Sequence, residues 1–486
     1  MPKPSTKTGS FGEITERFFQ MEDKLDLFDQ QIGGVYFWER VRFGVHRKTL
    51  EETAIIHHPH SSRTRWDYIR IALRSLANFA YRNPYCAQPS EILFFGHQRR
   101  KLEDDGKWWD IYCDPVIDVL DQSYVYIEQP YLGTHLRPAK TEYLRYLDML
   151  YPLRIGGTFI RPMPRFSKSE SVLLTGISRE LKQRIGVDIP VDEIVHKALL
   201  KRWNLLPLYQ KLLRRVRPKL AVVVVSYGKY SFVEACKTEG IPVIELQHGV
   251  ITKYHLAYSY SGSRRVARCF PDYFLSFGEA WGDLVDLPLK ADRIIPVGYP
   301  YFDIQREKFD GREKTNQVLF ISQGTIGRDL SMLAVDLRHK VSTKYKVVYK
   351  LHPGEYSQWE RRYPWLVSSG VEVVNDDSVP LYELLAESSV LVGVDSTVIY
   401  EGLGFGLKVV LVNLPGIESM YELKQRAHLP VISTAAELVE EIKRSRSGQE
   451  AKVGVEQYFK HDALANMKKC ISCLVDGSWK ESQLLH

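Results

Sequence analysis

Long apolar runs are missing from this 486-residue chain, and the densest, Leu220 to Val225, is only a strand long. A membrane-spanning helix needs roughly 18 such residues in a row, so the expectation is a soluble or peripheral protein. Cysteine is sparse and scattered: Cys86, Cys113, Cys236, Cys269, Cys470 and Cys473. Only the last two are close, and no second pair or suitably spaced histidines follow them before His486. A zinc site is therefore not expected; a helical Cys-x-x-Cys in a reducing compartment is. Met1-Pro-Lys-Pro-Ser-Thr-Lys7 has no apolar core, which argues against a secretory leader. Solenoid repeats and low-complexity tracts are also lacking, and the glycine-bearing turn from Phe320 to Gly327 lacks the lysine and spacing of a P-loop.

What is present is an ordinary globular composition, 44% hydrophobic and 26% charged, with a net charge of +7. That mild excess of base suits a nucleotide, a phosphorylated acceptor or an anionic membrane surface equally. The length exceeds what one core can organise, so two large domains are expected.

Residues 1–85 read as a helical extension, with helices around Phe11 to Arg47 and Arg65 to Tyr81. The second stretch sets Trp66, Ile69, Leu73, Leu76 and Phe79 at helical spacing among arginines. Such a helix can lie on an anionic membrane, but packing on a domain with the arginines in water is the expectation.

From Glu91 the pattern alternates strand and helix. Glu91 to Gly96, Tyr124 to Glu128, Leu220 to Ser226, Ile241 to Gln247, Asp272 to Gly278 and Arg293 to Gly298 read as strands, with a long helix over Val191 to Arg217. Near-continuous Val/Ile runs with helical crossovers indicate a parallel sheet covered on both faces. The polar stretch Arg306 to Asn316 reads as a linker. The alternation then restarts through Gln317 to Ser322, Tyr345 to Leu351, Val371 to Val374, Val390 to Val394 and Lys408 to Val412. The fold class is thus α/β: two Rossmann-like, doubly wound domains facing a cleft. Their expected limits are 86–305 and 306–450, with a closing C-terminal helix over 451–486.

Two strands run straight into histidines, at Gln247-His248-Gly249 and Leu351-His352-Pro353-Gly354. Residues just past the carboxyl ends of such strands line the ligand crevice. Proline and glycine fix a turn at His352, whose imidazolium is expected to bond a phosphate, with Lys350 on the same side of the strand. A neutral His248 on a loop suits removal of a proton from an acceptor hydroxyl. Ser322-Gln-Gly324-Thr-Ile-Gly leads from strand to helix and can present backbone N–H groups to a phosphate, or be only a tight turn. Asp395-Ser396-Thr397 opens another helix, as a cap or as an anion site, and Glu401 one turn on can accept from ribose hydroxyls.

In this order across two Rossmann-like units, Gln247-His248-Gly249, His352-Pro353 and Asp395-Ser396-Thr397 resemble the GT-B class of nucleotide-sugar transferases. More narrowly the resemblance is to the capsule polysaccharide and CDP-glycerol glycerophosphotransferase-like superfamily, over roughly Leu220 to Val412. It implies metal-independent, inverting transfer, with His248 as base and His352, Ser396 and Thr397 on the donor diphosphate. The glycerophosphotransferases usually carry tryptophan before His-Gly and Thr-Pro-Leu-Lys after it. Gln247 and Val250-Ile-Thr-Lys253 stand here instead, which favours a sugar donor over glycerophosphate.

Glu103-Asp104-Asp105-Gly106 is similar to the acidic pair that, with a His-Pro motif, marks several bacterial sialyltransferase families. On that analogy Asp105 is a rival base, while a solvated charged loop is the plainer reading. Trp108, Gln247 and Lys253 are the candidate acceptor contacts. The expected activity is a glycosyltransferase moving a sugar, or a polyol phosphate, from a nucleotide-activated donor to a surface polysaccharide or glycolipid acceptor. No metal, other cofactor or nucleic acid is involved in that reading, and the location is cytoplasmic or peripheral at the inner membrane face. The alternatives are a non-hydrolysing nucleotide-sugar epimerase and a catalytically silent GT-B carbohydrate-binding scaffold.

Overall fold

The computed structural model describes residues 9–53, 55, 65–98, 100–131, 133–150, 165–260, 267–444 and 454–478. The polar start from Met1 to Lys7 and the last residues to His486 lie outside these.

Two parallel sheets organise the chain. The first has seven strands in the spatial order Ile294–Pro296, Tyr273–Ser276, Val243–Leu246, Leu220–Val224, Ile92–Phe95, Tyr124–Glu128 and Leu144–Tyr146. The second has six: Glu372–Val374, Lys346–Lys350, Gln317–Ile321, Val390–Gly393, Lys408–Val412 and Val431–Ile432. Leu220 to Val224 and Val318 to Phe320 have no exposed surface, as strands covered by helices on both faces must. The architecture is the pair of Rossmann-like, doubly wound α/β units anticipated from the strand pattern.

Counted in chain order, each sheet follows the sequence 3-2-1-4-5-6, the first carrying a seventh strand at its edge. In such sheets the strand order reverses between strands 1 and 4, and the connections there leave to opposite faces, opening a crevice at the carboxyl ends. In the second sheet that crevice lies between Gln317–Ile321 and Val390–Gly393; in the first, between Ile92–Phe95 and Leu220–Val224.

Several elements differ from the sequence reading. The Leu144–Tyr146 strand and the helix Lys168–Ile185 were not anticipated, although Ser167 and Glu170 form a capping box that announces the latter. The stretch expected as a linker begins inside the Pro300–Lys308 helix and is then tied to the second domain. Arg312 pairs with Glu383 and Glu387, and the Lys314 ammonium donates to the Leu385 carbonyl. Its polarity reflects these ion pairs rather than freedom.

The Ala463–Val475 helix returns to the first sheet, packing Met467, Cys470, Ile471 and Leu474 with Ile92, Val222 and Ile295. The path to it is narrow. A side chain at Gly278 would stand 2.4 Å from the Gln457 carbonyl oxygen, and one at Gly298 2.4 Å from that of Lys460. Cys470 and Cys473 are unbonded on this helix, and burial pushes the Cys470 thiol up to about 12.

The N-terminal helices Phe11–Lys24 and Trp38–Glu52 join a core continuous with both domains, which also holds Trp281, Tyr299, Tyr382 and Tyr400. Buried Arg42 grips Glu22 through both carboxylate oxygens, at 2.7 and 2.8 Å, and donates to the carbonyls of Leu256 and Ser259. The helical extension thereby fixes the loop that follows His248. Arg42→Leu leaves Glu22 buried without its partner and should lower the unfolding free energy by about 3–5 kcal/mol in a urea titration; a near-neutral result would show that the pair does not hold this loop.

Candidate functional site

A cavity of about 640 Å³ opens at the switch point of the second sheet. Its floor is built from three strand-end loops: Ser322 to Thr325, Lys350 to Pro353 and Asp395 to Val398. Phe11, Ile55, Lys101 and Val250, from the N-terminal part of the chain, close the opposite side. Seven residues singled out in the sequence therefore meet here: Ser322, Gly324, Lys350, His352, Asp395, Ser396 and Thr397.

The Thr397–Gly404 helix begins at this cavity. Ser396 caps it, its hydroxyl accepting the Val398 N–H at 3.3 Å, and Asp395, Ser396 and Thr397 line the cavity. Burial raises the Asp395 carboxyl to about 6, a hydrogen bond with Ser419 opposing the shift and Glu418 adding to it.

His352 is exposed at the cavity rim. Its Nδ1 accepts the Gly354 N–H at 3.1 Å, while Glu355, buried, accepts the His352 N–H at 2.9 Å. With Nδ1 engaged by this backbone N–H, Nε2 is the ring nitrogen left to donate to a phosphate oxygen. Lys350 brings a positive charge to the same cavity. Its ammonium bonds the Tyr356 hydroxyl at 2.9 Å and the Asp376 carbonyl, and burial lowers its pKa.

Glu401 lies below the cavity lining, 5% exposed. Burial lifts its carboxyl to about 7, against the pull of Lys101 and a hydrogen bond with Tyr382. Lys101, on the Lys101–Leu102/Trp108–Trp109 hairpin of the first domain, reaches the cavity and also sits over the rings of Tyr301 and Tyr382.

Across the cavity, a side chain on Gly249 would stand 3.6 Å from Thr397 Oγ1, which brings the His248 loop against the helix end. His248 is half-buried, its carbonyl accepting the Tyr112 hydroxyl at 2.8 Å. Burial, helped by nearby His97, His255 and Lys229, holds its pKa well below the ordinary value and keeps it neutral.

Behind it stands an arrangement that the sequence reading missed. Tyr258 Oη lies 2.5 Å from Glu245 Oε1 and 3.3 Å from His248 Nδ1, and the Ser226 N–H reaches the same Glu245 oxygen at 3.0 Å. Tyr258 has one proton, and an ionised Glu245 takes it, because a carboxylate oxygen can only accept. His248 Nδ1 is then the donor to Tyr258, which leaves the lone pair on Nε2. The available signal was Glu245 three residues before His248, a carboxylate inside an otherwise apolar strand. His97, just past Ile92–Phe95, is a third strand-end histidine of the same kind, and its main-chain N–H donates to buried Asp110 at 2.8 Å.

Other sequence candidates lie elsewhere. Asp105, exposed at the hairpin tip, accepts from the Lys107 N–H at 3.0 Å and from Trp109 Nε1 at 3.2 Å. Desolvation acts to raise its carboxyl, but these bonds hold it below the ordinary value. Trp108 is half-buried in the same hairpin, outside the cavity lining. Gln247 spends both ends of its amide on main chain, donating to the Gly249 carbonyl at 2.9 Å and accepting the Phe277 N–H at 2.8 Å. It shapes the His248 turn rather than facing the cavity. Lys253 is exposed over the Tyr254 ring. Among the described residues no cluster of side chains has the makings of a metal site, and no helix is long and apolar enough to cross a membrane.

No family model matches this chain, and no curated protein does. Solved structures similar to it include UDP-GlcNAc 2-epimerase from Neisseria meningitidis bound to UDP-GlcNAc, at 13% identity over 79% of this chain and 99% of that one, TM-score 0.48. The Methanocaldococcus jannaschii UDP-GlcNAc 2-epimerase, in complex with UDP-GlcNAc and UDP, gives 10% identity, the same coverages and a TM-score of 0.47. The wall teichoic acid polymerase TagF gives 12% identity over 87% and 100% of the two chains, TM-score 0.44. At these distances the functional reading rests on the geometry of the site.

His248 should remain neutral with its proton on Nδ1 at pH 6.5 in nitrogen-15 spectra of the labelled imidazole, and Tyr258→Phe should loosen that tautomer preference. A His248 ring half-protonated at pH 6.5 would contradict the assignment.

Proposed function

We propose that this chain is a GT-B glycosyltransferase that binds a nucleotide-activated donor in the second-domain cavity and passes its sugar, or polyol phosphate, to a surface glycan or glycolipid acceptor. One observation carries the reading: a cavity with phosphate-suited groups at a doubly wound switch point faces a neutral histidine loop from the other domain. Backbone N–H groups at the Gly324 loop and the start of the Thr397–Gly404 helix, the Nε2–H of His352 and the Lys350 ammonium suit a diphosphate. Their donors strengthen as charge develops on the leaving nucleotide, which is where they aid the reaction.

On the acceptor side, His248 Nε2 takes the proton of the attacking hydroxyl. The imidazolium formed is stabilised through Nδ1–H by Tyr258 and, behind it, Glu245. The chemistry so described needs no metal. His248 is preferred over Asp105 as base because its loop touches the donor helix while the Asp105 carboxylate is bound within its own hairpin.

A thermal-shift panel of CMP, CDP, UDP, GDP and dTDP tests the donor site, since a ligand at 100 times its dissociation constant stabilises by about 2.7 kcal/mol. A flat response to all five sinks the reading in favour of a silent scaffold. Product analysis then separates transfer from epimerisation, which would convert the free nucleotide sugar without an acceptor.

With a responsive nucleotide in hand, His248→Ala should lower kcat by about 10²–10⁴ while leaving nucleotide affinity nearly unchanged. His352→Ala should weaken that affinity about tenfold, the worth of one well-placed hydrogen bond. Loss of binding in the first variant, or unchanged binding in the second, contradicts the division of labour. The pH profile provides a separate check. A depressed His248 pKa keeps the base neutral as pH falls through 6.5, so kcat/KM should hold there and decline only at lower pH; a decline centred at or above 6.5 would remove His248 from the role.

A further inference from the structure

The Arg65–Tyr81 helix was expected to bury its apolar residues on the domain, and it does not. Its packed face is a different one: Ser75 is buried, Ile71 lies against Gly133, and Asn78 donates to Asp148 at 2.8 Å and accepts from Arg137 at 2.7 Å. Arg82, just beyond, donates to the Leu144 carbonyl at 3.1 Å. The helix is thus seated beside the edge strand Leu144–Tyr146 of the first sheet.

The opposite face is open. Trp66 is 71% exposed, Ile69 48%, Leu73 63% and Leu76 56%, and their spacing of three, four and three residues makes one continuous stripe. Exposed Arg70 and Arg74 run along its flank. At its far end Tyr81, also exposed, lies under the guanidinium groups of Arg82 and Arg137, at 5.3 and 5.9 Å. The helix carries three arginines and one acid, Asp67.

An apolar stripe bordered by arginines, with a tryptophan near one end and a tyrosine at the other, has the chemistry of a helix lying in a bilayer interface. We infer that this helix docks the protein onto an anionic lipid surface, the stripe entering the acyl boundary and the arginines meeting lipid phosphates. Charge complementarity selects lipid over a second protein: Arg70 and Arg74 on the flank, with Arg82 and Arg137 at the far end, outnumber the single acid Asp67, and the net positive rim matches an anionic surface. The inference goes beyond the proposed transfer reaction and stands on this helix alone, so nucleotide binding can fail or succeed without deciding it.

The test is sedimentation of the full-length protein with extruded vesicles of phosphatidylglycerol and phosphatidylcholine, or of phosphatidylcholine alone. The wild type should pellet with the anionic vesicles and much less with the neutral ones. Leu73→Asp should lower the partition coefficient about tenfold, and Arg70→Glu with Arg74→Glu by a similar factor that shrinks as salt rises. Melting temperature is the folding control; should Leu73→Asp lower it, the arginine pair, whose side chains are in water, decides. Absence of pelleting, or pelleting indifferent to both variants, overturns the inference. So does a wild-type dimer in size-exclusion chromatography that Leu73→Asp dissociates, because a second copy would then cover the stripe.

Discussion

A carboxylate buried inside a parallel sheet is the constraint on which the rest of this site depends. Glu245 occupies an interior position of the Val243–Leu246 strand with no exposed surface, and a polar group there is costly unless it is bonded. Burial already pushes its carboxyl upward, and the Ser226 N–H and the Tyr258 hydroxyl are what it finds. Satisfying Glu245 Oε1 places the Tyr258 hydroxyl, and Tyr258 in turn contacts the His248 ring through Nδ1. A histidine on a strand-end loop, otherwise free to turn, is held in one tautomer by a need that originates in the core.

The same logic extends outward. Tyr258 belongs to the loop whose Leu256 and Ser259 carbonyls are held by Arg42, and Arg42 is itself held by Glu22. The N-terminal helices therefore act as a frame for the loop rather than as an appendage. Because both sheets share one strand order, each domain offers a switch-point crevice at its carboxyl edge. Gly249 faces Thr397 where the two edges approach, at a distance that a Cβ would fill as ordinary contact.

Much of this was legible in the sequence, and the reasons are specific. Val/Ile strands with helical crossovers read clearly because burial on both faces makes each a short, near-continuous β-branched run between helical segments. The loops at Ser322, His352 and Asp395 were found for the same reason: each follows such a strand directly. What the residues did not disclose was anything that depends on distant partners. Tyr258 and Glu245 are 13 residues apart and meet only through the turn between them. His352 has its Nδ1 engaged by one backbone N–H two residues on. Gln247 looked like a site residue by its neighbours, yet its amide is consumed by Gly249 and Phe277. The Arg65–Tyr81 helix misled for another reason, since an apolar stripe declares its periodicity but not what covers it.

The most direct test of the central claim is amide hydrogen exchange with and without the nucleotide diphosphate that gives the largest thermal shift. The account predicts slowed exchange in three short stretches, 322–327, 352–355 and 396–400, with the His248 loop slowed further when a donor sugar is attached. Protection confined to the strand ends of the first sheet, or spread evenly over the chain, would contradict a donor site at the switch point of the second.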